Sequence, residues 1–448
     1  MVAACGGDSV EPPHLVLFGV DTVRYDHTSL VDYSRDTTPR LASWAANGTV
    51  FDRTYAGSSW TLPSVAMLFT GRLRSTNSGD LPTSSPTLPD LTRYAGYRNT
   101  AVVANGLLSE EKGYAQRFDS FQLYAPSEPH GRNSWPGESV VRAGLEGLDG
   151  AEGPQFLWLW LFDPHDPYRP RRAERFEPFG SPERRARFEA ALPADRRLEL
   201  DDAAYIGIEA RIARYDAELR EADLAFGQLL DGLAERGLSE NSLVAFVSDH
   251  GEGLWQRAKL AGEEDKPTAF FPDLYFDHGV MLYEEQIRVP FVLAGPDIPV
   301  GIRRSEPVHL IDVVPTLVNL LGLDDPGTFD GLDLFAADDS ELNRPLASFT
   351  SRGASLLFEG RYRLHVPRTY RIERFGAQSE LYDLQVDPAE LKPLDDASLS
   401  SRLSTSLDVL RELGAQRGGT RTLTMEEQRT LEDLGYVGGE ADRDGANR

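Results

Sequence analysis

Three segments of the chain are apolar without interruption, and polar residues with ligand chemistry follow each of them. The segments are His14–Val20, Phe156–Phe162 and Leu243–Val247. Uninterrupted apolar runs of this length are typical of strands that are buried on both faces of a parallel sheet. The residues that follow are DTVRYDH, DPHDPY and SDHGE. We therefore predict three central strands whose carboxyl ends carry acidic and imidazole side chains.

Patterns with a helical period separate these strands. The longest, Tyr205–Leu238, has apolar side chains at a period of about 3.6 residues, which predicts a long amphipathic helix packed on the sheet. Further helices are predicted at Pro39–Asn47, Asp90–Ala95, Leu282–Gln286 and Val308–Leu321, and further strands at Val50–Phe51, Asn99–Ala104 and Ile287–Ala294. This alternation over residues 14–322 predicts an α/β fold: a mostly parallel, mixed central sheet with helices on both faces.

The pattern changes near Arg344. Short strand patterns at Arg361–Val366 and Glu380–Leu384 precede two helical patterns at Ser400–Leu413 and Met425–Leu434. We predict an N-terminal tail (1–13), a main domain (14–343), a small C-terminal α+β subdomain (344–437) and a flexible tail (438–448). Two charged or polar insertions, Arg169–Arg197 and Leu254–Phe276, are expected to line a pocket in the main domain, since such loops commonly set specificity.

Composition and charge narrow the class of protein. The 448 residues are 40% hydrophobic and 26% charged, as in globular proteins, and carry a net charge of -25. A protein this acidic, with no sustained basic patch, is not expected to bind nucleic acid. Since no run of about 18 apolar residues occurs, no transmembrane span is predicted. An anionic substrate would need local positive charge or a bound cation.

Cys5 is the only cysteine, which excludes disulfides within the chain and a Cys-based metal site. The sequence MVAACGGD resembles the end of a bacterial lipoprotein signal, although the charged and apolar regions that precede such a Cys are absent. We predict an exported protein, periplasmic or membrane-anchored, with lipid on Cys5. The alternative is a frayed N-terminal tail on an otherwise soluble protein.

The segment Thr54–Leu73 carries the candidate nucleophile. A polar run ends at Thr61, Pro63 follows, and an apolar helical pattern then continues until Gly71. Thr61 is therefore predicted at or next to a helix N-cap, where free N–H groups and the helix dipole favour an anionic ligand and an ionised hydroxyl. Locally, an ordinary capping threonine is the alternative.

The three strand ends would meet at one edge of a parallel sheet, where open α/β sheets bind ligands. Asp21, Asp249 and His250 offer two oxygens and one nitrogen to a divalent cation, and the Thr61 hydroxyl offers a fourth ligand. An alcohol that binds such a cation has a lowered pKa and becomes a nucleophile near neutral pH.

Two further histidines are available to the substrate. His165, in DPHDPY, and His278 are candidates for assisting the leaving group or contacting the non-bridging oxygens. Each histidine taken alone fits a structural role better, and only the two together favour a role in the site. A second metal would need Asp163 together with these histidines. We prefer one metal, since the Asp-Pro-His spacing is too short to match the Asp-His pair, on one helix, that is usual in two-metal phosphatase sites.

Several blocks of the sequence together resemble the sulfatase family of the alkaline phosphatase superfamily. They are HLVLFGVDTVRYDH, SSWTLPSVAMLFTG, WLFDPHDPY, VAFVSDHGEG, DHGVMLYEEQIRVPFVLAGP and HLIDVVPTLVNLLG, with ELYDLQVDPAE and DLGYVGG near the C-terminus. The likeness extends from His14 to Gly438. It implies an alkaline-phosphatase-like fold. It also implies a metal site at Asp21, Asp249 and His250, a nucleophile at Thr61, and substrate contacts at His165 and His278.

The sequence departs from the family at the nucleophile. Sulfatases resemble Cys-x-Pro-Ser-Arg there, and the Cys or Ser is oxidised to formylglycine. This chain has Thr61, and Val65 replaces the Arg. A threonine gives no aldehyde, so the resemblance implies chemistry at phosphorus through a phosphothreonine rather than elimination of sulfate.

Two further departures concern the metal and the substrate anion. Thr22 replaces the second Asp of the family, which weakens the case for Ca²⁺ and leaves Mn²⁺, Zn²⁺ or Mg²⁺ as the single ion. Asn105 lies near a family Lys of the substrate pocket, so its anion contact is expected to be weaker, with Arg24 as another source of positive charge.

The sequence thus predicts a metal-dependent hydrolase of phosphate or phosphonate esters, acting on a small-molecule, lipid or glycan anionic ester through Thr61. The alternatives are a sulfuric ester hydrolase, a phosphoryl-headgroup transferase and an inactive metal-binding homologue. Headgroup transferases with a Thr nucleophile resemble membrane proteins with several spans, which this sequence does not predict.

Overall fold

The structure, a computed structural model, describes residues 12–75, 79–82, 86–123, 136–172, 176, 202–257, 275–369, 371, 373 and 377–417. Cys5 and the predicted helix Met425–Leu434 lie outside these residues, as does most of both insertions. The strands are β1 His14–Val20, β2 Thr49–Phe51, β3 Thr54–Tyr55, β4 Arg98–Val103, β5 Ser120–Leu123, β6 Gln155–Leu161, β7 Ser242–Val247, β8 Arg288–Val289, β9 Phe291–Ala294, β10 Ile302–Arg304, β11 Val308–His309, β12 Leu346–Phe349, β13 Gly353–Phe358, β14 Tyr362–Pro367 and β15 Glu380–Asp383.

Helices alternate with the strands of the main sheet. They are α1 Pro39–Ala45, α2 Thr61–Thr70, α3 Leu88–Tyr94, α4 Gly137–Glu146, α5 Asp202–Glu235, α6 Glu284–Ile287, α7 Val313–Leu320, α8 Asp339–Leu342 and α9 Ala397–Arg417. Short 3₁₀ helices lie at Tyr25–His27, Ala115–Arg117, Ser239–Asn241 and Leu310–Asp312. Within the described residues, no helix is both long and apolar enough to cross a membrane.

The main sheet has eight strands in the order β10-β2-β9-β7-β1-β6-β4-β5. The five strands from β7 to β5 are parallel, and β9 runs antiparallel to its neighbours β2 and β7. The carboxyl ends of β1, β6 and β7 therefore lie side by side at one edge. The predicted fold, a mostly parallel mixed α/β sheet with helices, is confirmed.

Alternate residues of the central strands pack into two hydrophobic cores, one on each face of the sheet. In β6, Trp158 and Trp160 enter one core, and Leu157 and Leu159 enter the other. Gly19 in β1 makes room for an indole, because a Cβ there would lie 2.1 Å from Cε3 of Trp160. Trp160 can therefore reach the end of β1.

A second, antiparallel sheet, β12-β13-β14-β15, forms the C-terminal subdomain and packs against α9. Its core includes Met67 of α2. Phe349 N–H donates to Gly57 O at 2.8 Å, and the Ser348 hydroxyl donates to Ala56 O at 2.7 Å. The subdomain thus contacts the segment that leads into α2. Its predicted boundaries at residues 344 and 437 stay predictions.

Most predicted elements are confirmed to within a few residues, but two are wrong. Ile287–Ala294 is not one strand: Pro290 separates β8 from β9, which belong to different sheets, because proline has no N–H to donate to a ladder. The predicted helix Val308–Leu321 begins as β11, paired with β3, and α7 starts only at Val313. The elements that the sequence did not predict include helices α4 and α8 and strands β3, β5, β10, β12 and β13.

Candidate active site

Asp21 follows β1 directly, and its side chain has no exposed surface. Its Oδ2 accepts hydrogen bonds from Asn105 Nδ2 at 2.7 Å and from Trp160 Nε1 at 3.5 Å. The next residue, Thr22, has φ 56°, a left-handed conformation that β-branched residues rarely adopt. Its N–H donates to Asp249 Oδ1 at 3.3 Å, and its carbonyl accepts from the Tyr215 hydroxyl at 2.7 Å. These two contacts attach the strained turn to the end of β7 and to α5, which hold it in this conformation.

Asp249 and His250 follow β7 and are also fully buried. His250 Nδ1 lies 2.9 Å from Gly251 O, which accepts its proton, so the lone pair is on Nε2. That nitrogen lies 3.3 Å from Asp249 Oδ2 and 3.7 Å from Asp21 Oδ1. Gly251 allows this turn, because a Cβ there would lie 2.2 Å from Glu285 O.

Thr61 is the first residue of α2, directly after the N-cap Trp60, as the sequence predicts. Its hydroxyl lies 3.3 Å from His250 Nε2 and donates to Asp21 Oδ2 at 3.4 Å. The Ser64 hydroxyl, one helical turn later, donates to Asp249 O at 2.7 Å. The first turn of α2 is therefore attached to the end of β7, and Thr61 joins the predicted metal ligands.

The acidic groups fit a divalent cation. Asp21, Asp249 and His250 each offer one ligand atom, and these atoms all lie within 4.8 Å of one another. Oδ1 of Asp21 and Oδ2 of Asp249 are buried and have no hydrogen-bond partner among the described residues. Two buried oxygens without donors are what a bound cation would satisfy.

Burial also perturbs the ionisation of these ligands. It raises the pKa of Asp21 to about 6, with a further contribution from the charge of Asp249, and raises the pKa of Asp249 to about 7. Burial and the neighbouring His278 lower the pKa of His250 to about 4, so its imidazole is neutral and able to ligate at neutral pH. A cation between the two carboxylates would keep both ionised.

The structure also brings His165 and His278 to this edge. Their rings meet edge to face at 4.8 Å, and the His278 ring lies 4.5 Å from the His250 ring. His165 Nδ1 contacts Asp166 O at 2.7 Å, and burial lowers the pKa of His165. His278 Nδ1 contacts Glu252 Oε1 at 3.1 Å.

Arg24 and Asn105, predicted to contact the substrate, have protein partners. The Arg24 guanidinium binds the Asp26 carboxylate through two hydrogen bonds, at 3.0 and 2.7 Å, and donates to Glu252 O at 3.2 Å. The Asn105 amide supports Asp21, and its Oδ1 accepts from Leu107 N at 2.9 Å. Their roles toward substrate stay predictions, and in this structure Asn105 instead contacts Asp21, a predicted metal ligand.

Asp163 lies apart from the predicted metal ligands. It forms a second buried acidic cluster with Glu218 and Glu221 of α5, whose oxygens lie within 4.8 Å of one another. Sequence reasoning missed a different residue, Glu252, which contacts His278 and is fully buried. The sequence places Glu252 in the SDHGE block but gives no signal of its partner.

The chain is similar to known proteins in sequence and in fold. The chain is 25% identical over 393 residues to N-acetylgalactosamine-6-sulfatase of Rattus norvegicus, which covers 80% of this chain and 72% of that protein. Its fold matches a phosphonate monoester hydrolase of Agrobacterium radiobacter with TM-score 0.66 and 19% identity, covering 90% of this chain and 96% of that one. A phosphonate monoester hydrolase of Silicibacter pomeroyi matches with TM-score 0.66 and 18% identity, covering 92% and 98%. The sulfatase family model matches residues 13–323, and the chain therefore belongs to the sulfatase family of hydrolases.

Proposed function

We propose that this protein is a metal-dependent hydrolase of phosphate or phosphonate esters in which Thr61 is the nucleophile. The observation that carries the proposal is the position of the Thr61 hydroxyl. It is buried at the first turn of α2, within 3.4 Å of Asp21 Oδ2 and His250 Nε2. A hydroxyl at a helix N-terminus, beside a metal-ligand set, is suited to attack an anionic ester.

Asp21, Asp249 and His250 would hold one divalent cation. The candidates are Mn²⁺, Zn²⁺ and Mg²⁺, and Ca²⁺ is also possible by its charge and ligand preference. The cation would lower the pKa of the attacking alcohol and neutralise charge on a non-bridging oxygen of the substrate. The protein's own groups orient the hydroxyl: Asp21 Oδ2 accepts its hydrogen bond, and the first turn of α2 fixes its backbone.

In the reaction, Thr61 Oγ1 attacks phosphorus as its proton passes to its hydrogen-bond acceptor, Asp21 Oδ2, and the bond from phosphorus to the leaving oxygen breaks. The leaving oxygen receives a proton from His165 or His278, which both lie at the same edge of the site. Water then attacks the phosphothreonine at phosphorus and gives a proton to the same histidine. The bond from phosphorus to Thr61 Oγ1 breaks, Oγ1 takes its proton back from Asp21, and the phosphate or phosphonate is released.

The preference for phosphorus over sulfur rests on the chemistry of Thr61. Its side chain gives no aldehyde hydrate, so a sulfate ester formed on it would have no elimination route. Two structures with the same fold are phosphonate monoester hydrolases. The second candidate is a sulfuric ester hydrolase, which the likeness to N-acetylgalactosamine-6-sulfatase favours.

One substrate panel separates these candidates. Nitrophenyl phosphate, bis-nitrophenyl phosphate, a phosphonate monoester and nitrophenyl sulfate are each tested with Mn²⁺, Zn²⁺, Mg²⁺ and Ca²⁺. We expect a phosphorus ester to have the highest kcat/KM. A sulfate ester as the best substrate would overturn the preference for phosphorus, and no turnover with any ester would favour an inactive homologue.

We predict that Thr61→Ala lowers kcat/KM by about 10³-fold or more, because the nucleophile is lost. Thr70→Ala is the matched control: Thr70 ends the same helix, and its hydroxyl bonds Ala66 O, outside the site. Acid quench during turnover should yield a phosphorylated peptide that contains Thr61. Full activity in Thr61→Ala would refute the proposal.

Export and lipid attachment at Cys5 stay predictions, as does the identity of the small-molecule, lipid or glycan ester. Cys5 lies outside the described residues. Intact-mass measurement of protein from membrane and soluble fractions would test the anchor, since a lipidated Cys5 adds the mass of the acyl groups.

A further inference from the structure

The two candidate acids are held differently. His165 Nδ1 contacts a backbone carbonyl, Asp166 O, and its ring stacks on Phe162 at 4.1 Å. His278 Nδ1 contacts a side-chain carboxylate, Glu252 Oε1, at 3.1 Å. A ring whose Nδ1–H is donated to a fixed acceptor must present Nε2 on its opposite edge. The partner of Nδ1 therefore determines how firmly each imidazole is held in the orientation that presents Nε2.

Glu252 is fixed at both of its oxygens. Oε2 accepts from the Tyr168 hydroxyl at 2.8 Å, and Oε1 also accepts from Gly253 N–H at 3.1 Å. The Tyr168 ring lies beneath the Arg211 guanidinium, 4.6 Å from the ring centroid, and Arg211 is paired with Asp166 at 2.7 Å. The carboxylate therefore has little freedom to rotate away from His278.

The His278 segment is also attached to the nucleophile segment. Gly279 N–H donates to Ser59 O at 2.6 Å, two residues before Thr61. Gly253 N–H donates to Asp277 O at 3.0 Å, so the residue after Glu252 contacts the residue before His278. A Cβ at Gly253 would lie 2.7 Å from that carbonyl. Glu252, His278 and Thr61 are thus fixed relative to one another by short backbone contacts.

We infer that Glu252 is a positioning residue that acts through His278, and that the Tyr168–Glu252–His278 array, rather than His165, serves the leaving group. This inference rests on the proposed function and chooses between the two histidines that it leaves open. Tyr168 holds the carboxylate, the carboxylate holds Nδ1 of His278, and Nε2 of His278 donates the proton to the leaving oxygen.

The test is the dependence of rate on the leaving group. Aryl esters of one phosphonate, with dinitrophenol, nitrophenol and phenol as leaving groups, are compared for the metal-loaded full chain and for Glu252→Gln, Tyr168→Phe and His278→Ala. Good leaving groups depart without a proton, and phenol needs one. We expect each variant to lose about 10²-fold in kcat/KM with the phenyl ester and less than about tenfold with the dinitrophenyl ester.

Two controls separate the positioning of His278 by Glu252 from a general structural role of Glu252. Tyr97→Phe removes a hydroxyl that bonds Pro13 O far from the site, and it should leave all three rates unchanged. Glu252→Gln combined with His278→Ala should lose little more than His278→Ala alone, since both changes remove one function. Each variant is also tested for metal stoichiometry, which should match that of the unsubstituted protein.

Equal losses for all leaving groups, or no loss, in Glu252→Gln and Tyr168→Phe would overturn the inference. A selective loss in His165→Ala, with none in Glu252→Gln, would also overturn it and would assign the leaving group to His165. These outcomes leave the Thr61 nucleophile intact. Full activity of Thr61→Ala would instead overturn the proposed function itself.

Discussion

At the scale of single residues, the site is organised by what each imidazole does with Nδ1. His165, His250 and His278 all place Nδ1 against an oxygen acceptor, two of them backbone carbonyls and one a carboxylate. For His250 this puts the lone pair of Nε2 among Asp21, Asp249 and the Thr61 hydroxyl. Such outer hydrogen bonds orient metal ligands and strengthen binding.

Asn105 should act through the metal. We predict that Asn105→Ala weakens the affinity for the divalent ion about 10- to 100-fold, because the hydrogen bond that orients Asp21 is lost. Asp249→Asn should weaken it further, since a ligand itself is changed. Affinity is measured by competition with a chelating dye, and Asn241→Ala, at an exposed contact to Pro12 O, is the control. An unchanged affinity with a raised KM in Asn105→Ala would instead support the substrate contact that the family resemblance implies.

The convergence of Asp21, Thr61, Asp249 and His250 could be predicted from the sequence, because parallel strands place their carboxyl ends at one edge and an N-cap signal precedes α2. The partners of Arg24 and Glu252 could not. Arg24 pairs with Asp26, two residues away, and Glu252 with a histidine 26 residues later. Either side chain has the chemistry for a substrate contact, and only the fold selects the partner.

At the scale of elements, helix α5 does more than cover the sheet. Its apolar stripe was predicted from the period, but the same helix carries buried acids that hold loops. Asp223 accepts from the N–H groups of Arg40 and Leu41 at the start of α1. Glu218 accepts from Arg169 N–H at 2.6 Å, directly after the DPHDPY block that contains His165 and Tyr168. The 3.6-residue period of apolar side chains predicts the buried face of α5. It does not predict that acidic residues of the same helix are buried by loops that contact them.

Glu218 should make stability depend on pH. Burial, with a contribution from the charge of Asp163, raises the pKa of Glu218 from 4.5 to about 9. The folded state then keeps a proton that the unfolded state releases, so this group makes the free energy of unfolding fall as pH rises through that window, by at most about 1.4 kcal/mol per pH unit. The groups that face it are Asp163, Glu221 and Arg171.

We predict that Glu218→Gln has the same free energy of unfolding as the unsubstituted protein near pH 4.5. Toward about pH 9 its free energy of unfolding should be the higher of the two. The amide oxygen still accepts from Arg169 N–H, and it has no proton to lose. Denaturant unfolding is measured across pH with a chelator present, so that no cation replaces the proton, and exposed Glu240→Gln is the control. Parallel pH profiles for the two proteins would contradict the prediction.

At the scale of the whole molecule, the C-terminal subdomain is part of the site's support. Met67 of α2, the helix that Thr61 begins, lies in the core of the subdomain, whereas Leu62 and Val65 of that helix lie in a core of the main sheet. The sequence predicts the subdomain from its change of pattern. It does not predict this shared helix, because the contacts join residues almost 300 positions apart, such as Ala56 and Ser348.

Arg257 also joins the main domain to the subdomain, through charged and polar contacts rather than through apolar packing. Its buried guanidinium binds Glu285 at 2.8 and 3.1 Å, beside the Glu252 turn, and donates to the carbonyls of Ala389 and Glu390 in the subdomain. Removing it leaves the buried Glu285 carboxylate without the guanidinium that binds it. Arg257→Ala should therefore lower the free energy of unfolding by about 3–5 kcal/mol.

Arg411→Ala removes an exposed pair with Asp408 and should cost less than about 1 kcal/mol, so it is the matched control. Tryptophan fluorescence in denaturant gives both values. Below the unfolding transition, Arg257→Ala should also lower kcat/KM with the phenyl ester, because Glu252 N–H donates to Glu285 O at 3.1 Å and the His278 array loses its support. If Arg257→Ala costs no more than Arg411→Ala, then the packing around Met67 and the hydrogen bonds of Ser348 and Phe349 join the subdomain to the main sheet. The Arg257–Glu285 ion pair would then contribute only local order.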